Sequence, residues 1–499
     1  MYKEYFLLKN FFILFGGFMR LSHIIKSEEI LSSEKPMDLS IGKAESDFRK
    51  LDRNDVFFCE DGFHESGFSH VQNAIAKGVA AIVTSLGGSK RIGNISVPII
   101  EVENVRKSYA LAWRRAENDP SKDLRLIAVT GTNGKTSVTS FLHTLLNASG
   151  IPTGLIGTVE YTAGESHLQS SYTTPPPDIL YPLLRDMKNR GIKTVVMEAS
   201  SHAIAQHRLY GLEFETAVFT NLSRDHLDYH KTFETYRDVK ASLFSHARNS
   251  VICLDDEQAK YISLSAVGNV YYYGRSPEAD FYIRNPLCTD HEIRYSLRIG
   301  ADIINISFPA SGTFHIENSA AAIVCAFLEG IAPDTLERAA QHLRSPSGRM
   351  EKLPLPTDFS VYIDYAHSPE AIEKALLSLR PFTKKLTVLF GAGGDRDKGK
   401  RPQMGMTAEA IADLVILTND NPRSEDPDNI LDDIENGMQK KNHLRIPDRR
   451  EAIIFALDQA EKGEIILLAG KGHENYTIEK YGKLPFSEKE IIKKALGLI

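Results

Sequence analysis

The sequence predicts an α/β protein of three domains: a small N-terminal α/β domain, a central P-loop ATPase-like parallel sheet, and a C-terminal Rossmann-like domain. Three observations carry this. The chain has 499 residues, and at about 150 residues per domain that is too long for one core. Short apolar runs alternate with helical segments, the pattern of parallel strands covered on both faces. Polar and Gly-rich clusters follow the apolar runs, where the carboxyl ends of such strands bind ligands.

The first element to place is the N-terminus. Residues 11–15 are apolar and follow Lys3 and Lys9, but the run falls far short of the ~20 residues of a membrane span. No small-x-small cleavage site follows. Residues 1–18 therefore read as a non-core extension arising from an upstream start codon, with a membrane anchor as the alternative, and 19–25 read as the start of a helix. Residues 19–122 form the first domain, with strands at 55–59, 79–83 and 97–102. A helix at 71–77 ends at Gly78, a natural C-cap, and another spans 106–117. The polar, Pro-containing stretch 118–123 reads as a linker. Residues 123–345 form the second domain, with strands at 124–129, 194–197 and 216–220, a helix at 138–147, short β elements within 265–310 and a helix at 316–329. Residues 346–499 form the third, with strands at 361–364, 386–390, 414–418 and 465–469.

Composition narrows the function classes. Apolar residues make up 42% and charged residues 25%, values of a soluble globular protein. A net charge of −6 with no basic block argues against a nucleic-acid partner. Cys59, Cys253, Cys288 and Cys325 are far apart and form no CxxC pair, as expected of buried, reduced thiols in a cytosolic protein.

Gly131-Thr132-Asn133-Gly134-Lys135-Thr136-Ser137 joins an apolar strand to a helix. Its backbone N–H groups and the helix N-terminus make a phosphate cradle. Lys135 would reach the outer phosphates and the Thr136 hydroxyl a Mg²⁺. Only Thr132 and Asn133 separate Gly131 from Gly134, fewer than in the usual pattern; a chance Gly-rich turn is the alternative. Glu198 and His226 each follow a strand and are candidate Mg²⁺ ligands, since Mg²⁺ takes few protein ligands beside phosphate and water. His367 reads as an ordinary turn residue. Residues 391–401 read as a flexible, positive loop suited to an anion. In Asp420-Asn421-Pro422-Arg423 a rigid turn holds an Arg able to fork onto a carboxylate. Gly470 begins a second close-approach loop, in which Glu474 can bind a cationic group.

These stretches, with 198–202, 221–230, 347–351, 364–367 and 393–402, resemble in order the Mur ligases of peptidoglycan synthesis. Within that family they look most like the members that add the third residue of the peptide. The resemblance spans residue 19 to the end and includes the short P-loop spacing. It implies domains for UDP-muramoyl substrate (19–122), ATP (123–345) and amino acid (346–499). It implies a monomeric cytoplasmic enzyme with no nucleic-acid partner and no stable membrane association. That enzyme uses ATP and Mg²⁺ to join meso-diaminopimelate to UDP-N-acetylmuramoyl-L-alanyl-D-glutamate through an acyl phosphate.

The resemblance also implies residue roles. Lys135, Lys240 and His226 would be catalytic, and Thr136, Glu198, His226 and a carbamylated Lys240 would hold the metal. On its own Lys240 reads as a surface helix Lys. Asn318, Arg349 and Asp364 would join the P-loop at the nucleotide. Thr173, Thr174, Ser200, Gln206 and Arg208 would contact the muramoyl dipeptide. Arg396, Asp420, Asn421, Pro422, Arg423, Gly470 and Glu474 would form the amino-acid pocket. Diaminopimelate offers a far carboxylate to Arg423 and an ammonium to Glu474, whereas L-lysine leaves Arg423 unpaired. The departures lie in the first domain, where Asp47-Phe48-Arg49 lacks the family's Ser and 63–67 differs from its usual stretch. The rival readings are the same reaction with L-lysine or another diamino acid, and a divergent paralogue with another carrier. A folylpolyglutamate-type ligase would not explain 420–423, and a non-catalytic nucleotide-binding regulator would not explain intact Lys135, Glu198, His226 and Lys240.

Overall fold

The computed structural model describes residues 19–33, 39–62 and 65–499. The extension 1–18, and Phe63 and His64 of the first-domain stretch, lie outside them. The fold is α/β, as the alternating pattern requires. It divides into two compact units. The first holds the described residues up to Ala128 with Pro152–Glu215 and His246–Arg248; the second holds Val129–Ile151, Thr216–Ser245 and Asn249–Ile499.

In the first unit, the apolar runs Val56–Phe58, Ala81–Ser85 and Ile99–Val102 pair in parallel, with Ala44–Glu45 on one side and antiparallel Ile30–Ser33 on the other. The helix Val105–Ala116 starts where the Asn104 side chain accepts from Lys107 N, and it buries Tyr109 and Trp113. Thr153–Ile156 and Thr194–Glu198 also pair in parallel, while Glu160–Ala163 and Ser166–Gln169 extend the pairing antiparallel.

Two local expectations change here. The helix expected at 19–25 is a single turn, Leu21–Ile24, because Met19–Arg20 pairs with Ser40–Ile41 instead. The stretch 118–123 is an ordered turn, not a free linker. Asn118 and Asp119 adopt positive φ, Pro120–Asp123 forms a 3₁₀ turn, and Arg114 Nη2 donates to Asp119 Oδ2 over 2.7 Å.

In the second unit, the helix Lys135–Ala148 packs against Phe314–Leu328, whose buried Ala320, Ala321 and Ala322 permit close approach. The β elements of 265–310 are longer than expected. Phe281–Cys288, Ile293–Ile299 and Asp302–Phe308 form an antiparallel meander of strands seven or eight residues long. Ile293, Tyr295, Leu297 and Ile299 are buried in alternation, so only one face meets a core.

The C-terminal sheet has the order Glu351–Lys352, Ser360–Asp364, Ile465–Ala469, Leu386–Phe390, Leu414–Leu417, His443–Arg445, parallel except at the first edge. Successive residues of one strand feed different cores: Val388 one, Leu389 the other. That is why these strands read as unbroken apolar runs. No helix among the described residues is long and apolar enough to cross a membrane.

Candidate active site

The Gly-rich loop is laced to the segment after strand Phe214–Phe219. Thr132 N donates to Asn221 O over 2.8 Å, Asn133 N to Asn221 Oδ1 over 3.0 Å, and Thr220 Oγ1 to Asn133 O over 2.6 Å. Gly131 and Gly134 have φ of 152° and 89°, and a Cβ on them would meet Thr220 Oγ1 and Asn318 Oδ1. The loop is thus fixed with its N–H groups at the start of helix Lys135–Ala148, an arrangement that fits a polyphosphate. Lys135 Nζ donates to Gly131 O and Thr132 O, each over 2.9 Å, so the lysine lies along the loop. Asn318 backs the loop, and Arg349 Nη2 donates to Thr136 Oγ1 over 3.1 Å. Asp364 accepts from Met350 N over 2.6 Å and Ala366 N over 2.8 Å. It therefore acts by shaping the turn that presents Arg349.

Lys240 corrects the sequence reading of a surface lysine. It is 1% exposed, and Nζ donates to Gly131 O over 2.7 Å. Burial, with Lys135 nearby, pushes its pKa far below that of an ordinary lysine, which favours the neutral amine that carbamylation needs. His226 has φ of 54° and stands beside Asp225. Burial raises the Asp225 carboxyl, but His226, His367 and Lys400 together hold it down at about 2. His367 is therefore no simple turn residue: Nδ1 pairs with Tyr365 O over 2.8 Å, and it shares Asp225 with Lys400.

In the first unit Glu198, 0% exposed at its strand end, accepts from Thr158 N over 2.7 Å and Thr158 Oγ1 over 2.9 Å. The five dipeptide candidates are drawn together around it. Thr173 Oγ1 pairs with Thr158 Oγ1 over 3.1 Å, and Thr174 Oγ1 donates to Glu198 O over 2.7 Å. Ser200 N donates to Thr174 Oγ1 over 3.0 Å, and Ser200 Oγ caps the helix Ser201–Ala205. Arg208 reaches Gln206 Oε1 and, over 2.7 Å, Thr174 O.

In the second unit, Arg423 follows Pro422 with φ of 53°, and Nη1 donates to Gly394 O over 2.8 Å. Burial, and then Arg396, lower its pKa. Asn421 Nδ2 donates to Glu474 Oε2 over 2.8 Å. Gly470 has φ of 108°, and a Cβ there would strike Asp420 Oδ2. Burial raises the Glu474 carboxyl, an effect that Asn421 opposes. Arg396 is exposed at the rim.

The loop 391–401 needs correction. Arg401 is 0% exposed and bound to Glu425 and Asp433, and Lys398 also pairs with Glu425 over 3.1 Å. Two of its four cations are thus already paired, Arg401 inside the fold and Lys398 at the surface, and Lys398–Lys400 is a 3₁₀ turn leading into helix Arg401–Ile411.

A model of the Mur ligase middle domain matches residues 129–326, and one of the Mur ligase glutamate ligase domain matches 348–472. The UDP-N-acetylmuramoyl-L-alanyl-D-glutamate–2,6-diaminopimelate ligase of Clostridium tetani is 36% identical over 96% of this chain and 99% of its own. The chain belongs to the Mur ligase family. The Aquifex aeolicus protein of the same name is 40% identical over 90% of this chain and 92% of its own. A solved structure of a ligase so named is 30% identical, with a TM-score of 0.69 over 96% of this chain and 99% of that one. The fold also matches a Thermotoga maritima MurF ligase in complex with ADP, at 18% identity and a TM-score of 0.60, covering 86% of this chain and 93% of that one.

Sequence reasoning assigned no role to Thr158, Asp225, Lys400 and Lys471 of this Mur ligase. The last three lie in stretches it singled out, 221–230, 391–401 and the loop from Gly470 to Glu474, but nothing in those patterns announces their burial or their partners. Sequence reasoning also missed a cavity of about 530 Å³ in the first unit, lined by Glu60, Asp61, Phe68, Arg91, Arg106 and His207 among others. There Arg106 pairs with Glu60 and Arg91 with Asp61. Nearby in sequence, Phe48 stacks on His70 at 3.8 Å, and Arg49 donates in a fork to the Asp47 carboxylate.

Proposed function

We propose that this Mur ligase uses ATP to join meso-diaminopimelate to UDP-N-acetylmuramoyl-L-alanyl-D-glutamate, as a cytoplasmic monomer in peptidoglycan precursor synthesis. The observation that carries the reading is that Asn421 holds both Arg423 and Glu474: Arg423 Nη1 donates to Asn421 O over 3.4 Å, and Asn421 Nδ2 donates to Glu474 Oε2 over 2.8 Å. The pair offers a fork for a far carboxylate and a carboxylate for a neighbouring ammonium. L-lysine would leave the half-buried Arg423 guanidinium without a substrate carboxylate, and a missing charged partner costs more than a modest mismatch of shape. Relatives named diaminopimelate ligases, aligned over nine-tenths or more of the chain, support the same reading.

The roles follow the three proposed domains. Residues 19–122 take the UDP-muramoyl carrier, and 123–345 take the nucleotide through Gly131–Ser137 and Asn318, joined by Arg349 from the start of 346–499. Residues 346–499 take the amino acid. Among the described residues no group of three or more His, Cys, Asp or Glu side chains stands ready to hold a metal by itself. That suits Mg²⁺, which needs few protein ligands. Thr136, Glu198, His226 and carbamylated Lys240 are the proposed ones. ATP supplies the phosphoryl group that activates the D-glutamyl carboxylate. Lys135 neutralises the phosphates, Thr173, Thr174, Ser200, Gln206 and Arg208 orient the dipeptide, and Arg423 with Glu474 present the amine.

The test is phosphate release with UDP-muramoyl dipeptide and a panel of diamino acids. Turnover with meso-diaminopimelate is expected; turnover with L-lysine alone overturns the specificity, and none at all overturns the ligase. Arg423→Ala should raise KM for diaminopimelate about 100-fold, the scale of losing one partner of a buried charge pair, and leave KM for ATP unchanged. The second reading, a different carrier, is favoured by the Phe48–His70 stack where the family has a Ser. Turnover with a carrier other than UDP would support it.

A further inference from the structure

Lys471 lies between two glycines of positive φ, Gly470 at 108° and Gly472 at 55°. It is 0% exposed, and its ion pair among the described residues is a long one, to Asp420 Oδ1 at 3.9 Å. Burying an ammonium carries a large desolvation penalty. A lysine enclosed with so distant a counter-ion is therefore a poor choice for stability alone. Its hydrogen bonds show what it holds. Nζ donates to Asn421 Oδ1 over 3.2 Å and to Tyr476 O over 3.0 Å.

Asn421 Oδ1 also accepts from Ile478 N over 2.8 Å. Two donors converge on one side of the amide, so that side must be the oxygen and the other the NH₂. The NH₂ is the group that donates to Glu474 Oε2. The Glu474 backbone is tied to the same lysine, since Glu474 N donates to Lys471 O over 2.9 Å. The ammonium, the amide and the carboxylate form one relay across the loops 420–423 and 470–474. The charges follow the same logic. Asp420 and Glu474 would repel each other in a half-buried pocket, and Lys471 is the enclosed cation that faces both.

We infer that Lys471 is a positioning residue for amino-acid specificity: through Asn421 it aims the Glu474 carboxylate at the far ammonium of the incoming diamino acid. The inference deepens the diaminopimelate reading and rests on it. Lys471 is enclosed behind Asn421, so it acts on recognition and not on phosphoryl transfer. Removing it frees Asn421 to turn over and takes away one of the two cations, Lys471 and Arg423, that act on both Glu474 and Asp420.

The readout is the ratio of kcat/KM for diaminopimelate to that for 2-aminopimelate, which keeps the far carboxylate and lacks the far amine. In Lys471→Met that ratio should fall about 10- to 100-fold, the scale of one to two charge-assisted hydrogen bonds. KM for ATP and for the muramoyl dipeptide should stay as in the wild type. Lys471→Arg should recover part of the ratio. Asn421→Asp, which removes the donor to Glu474 with little change of shape, should reproduce the loss and carries the test if Lys471→Met fails to fold. An unchanged ratio in the folded variants overturns the role of Lys471 alone. A wild-type enzyme that turns over no diamino acid overturns this inference together with the reading beneath it.

Discussion

At the nucleotide end, Gly131 to Thr136 form one contiguous loop whose shape comes from two glycines and from hydrogen bonds of its backbone to Thr220 and Asn221. At the amino-acid end, Asp420, Arg423, Lys471 and Glu474 come from two loops far apart in sequence and depend on side chains for their placing. On the proposed reading the first end recognises a group common to every nucleotide, for which a fixed row of N–H donors suffices. The second would have to tell one diamino acid from another, with charges whose directions are set by further buried groups. A contiguous cradle tolerates change in what surrounds it, whereas a relay of side chains loses its aim when any member goes.

Lys135→Ala tests the separation most severely. Turnover, followed as ADP release, should fall by about 10²–10³-fold, the cost of removing one preorganised charge-stabilising donor. KM for diaminopimelate should not move. If it moved in step with turnover, the two ends would share more than a reaction, and the contrast would fail.

The same contrast explains what could be read from the chain. Gly131 to Thr136 is visible because its chemistry is local and consecutive. The Rossmann-like strands are visible because burial on both faces demands unbroken apolar runs. Arg423 and Glu474 are visible as residues, but their joint pocket rests on Asn421 and Lys471, which no spacing links. Lys240 is hidden for the opposite reason: its helix, Phe233–Ala241, carries Glu234, Arg237 and Asp238 on the same short segment and looks exposed. The charge of the loop 391–401 is overestimated from sequence because Glu425 and Asp433, which bind Arg401, lie more than twenty residues away.

One part of the nucleotide end is built from side chains, and acid should find it. His315 is buried under the turn of Arg349, with Nε2 paired to Arg349 O over 3.2 Å. Burial lowers its pKa from 6.5 to about 4. The folded chain refuses a proton that the unfolded chain takes, so the stabilising effect is complete above pH 6.5 and is lost as pH falls towards 4. The loss should be about 2 kcal/mol between pH 7 and pH 5, read as a lower urea midpoint. His315→Phe, which cannot take the proton, should flatten that dependence. An unchanged slope would mean that His315 is protonated in the folded chain and that the turn is held otherwise.

Arg396→Ala should have the smallest effect, and it probes where the amino-acid relay ends. Arg396 is exposed, and an exposed charge contributes about 1 kcal/mol or less to an ion pair. Its nearness lowers the pKa of Arg423, second only to burial, so its removal relieves a repulsion inside the pocket while it weakens the pull on an anionic substrate. The two effects oppose each other. KM for diaminopimelate should rise only about threefold at low salt, and the rise should fade near 0.5 M salt, where screening reaches a few ångströms. A rise as large as that of Arg423→Ala, persisting in salt, would mean that Arg396 folds inward over the bound amino acid. Specificity would then be set at the rim as much as by the buried relay.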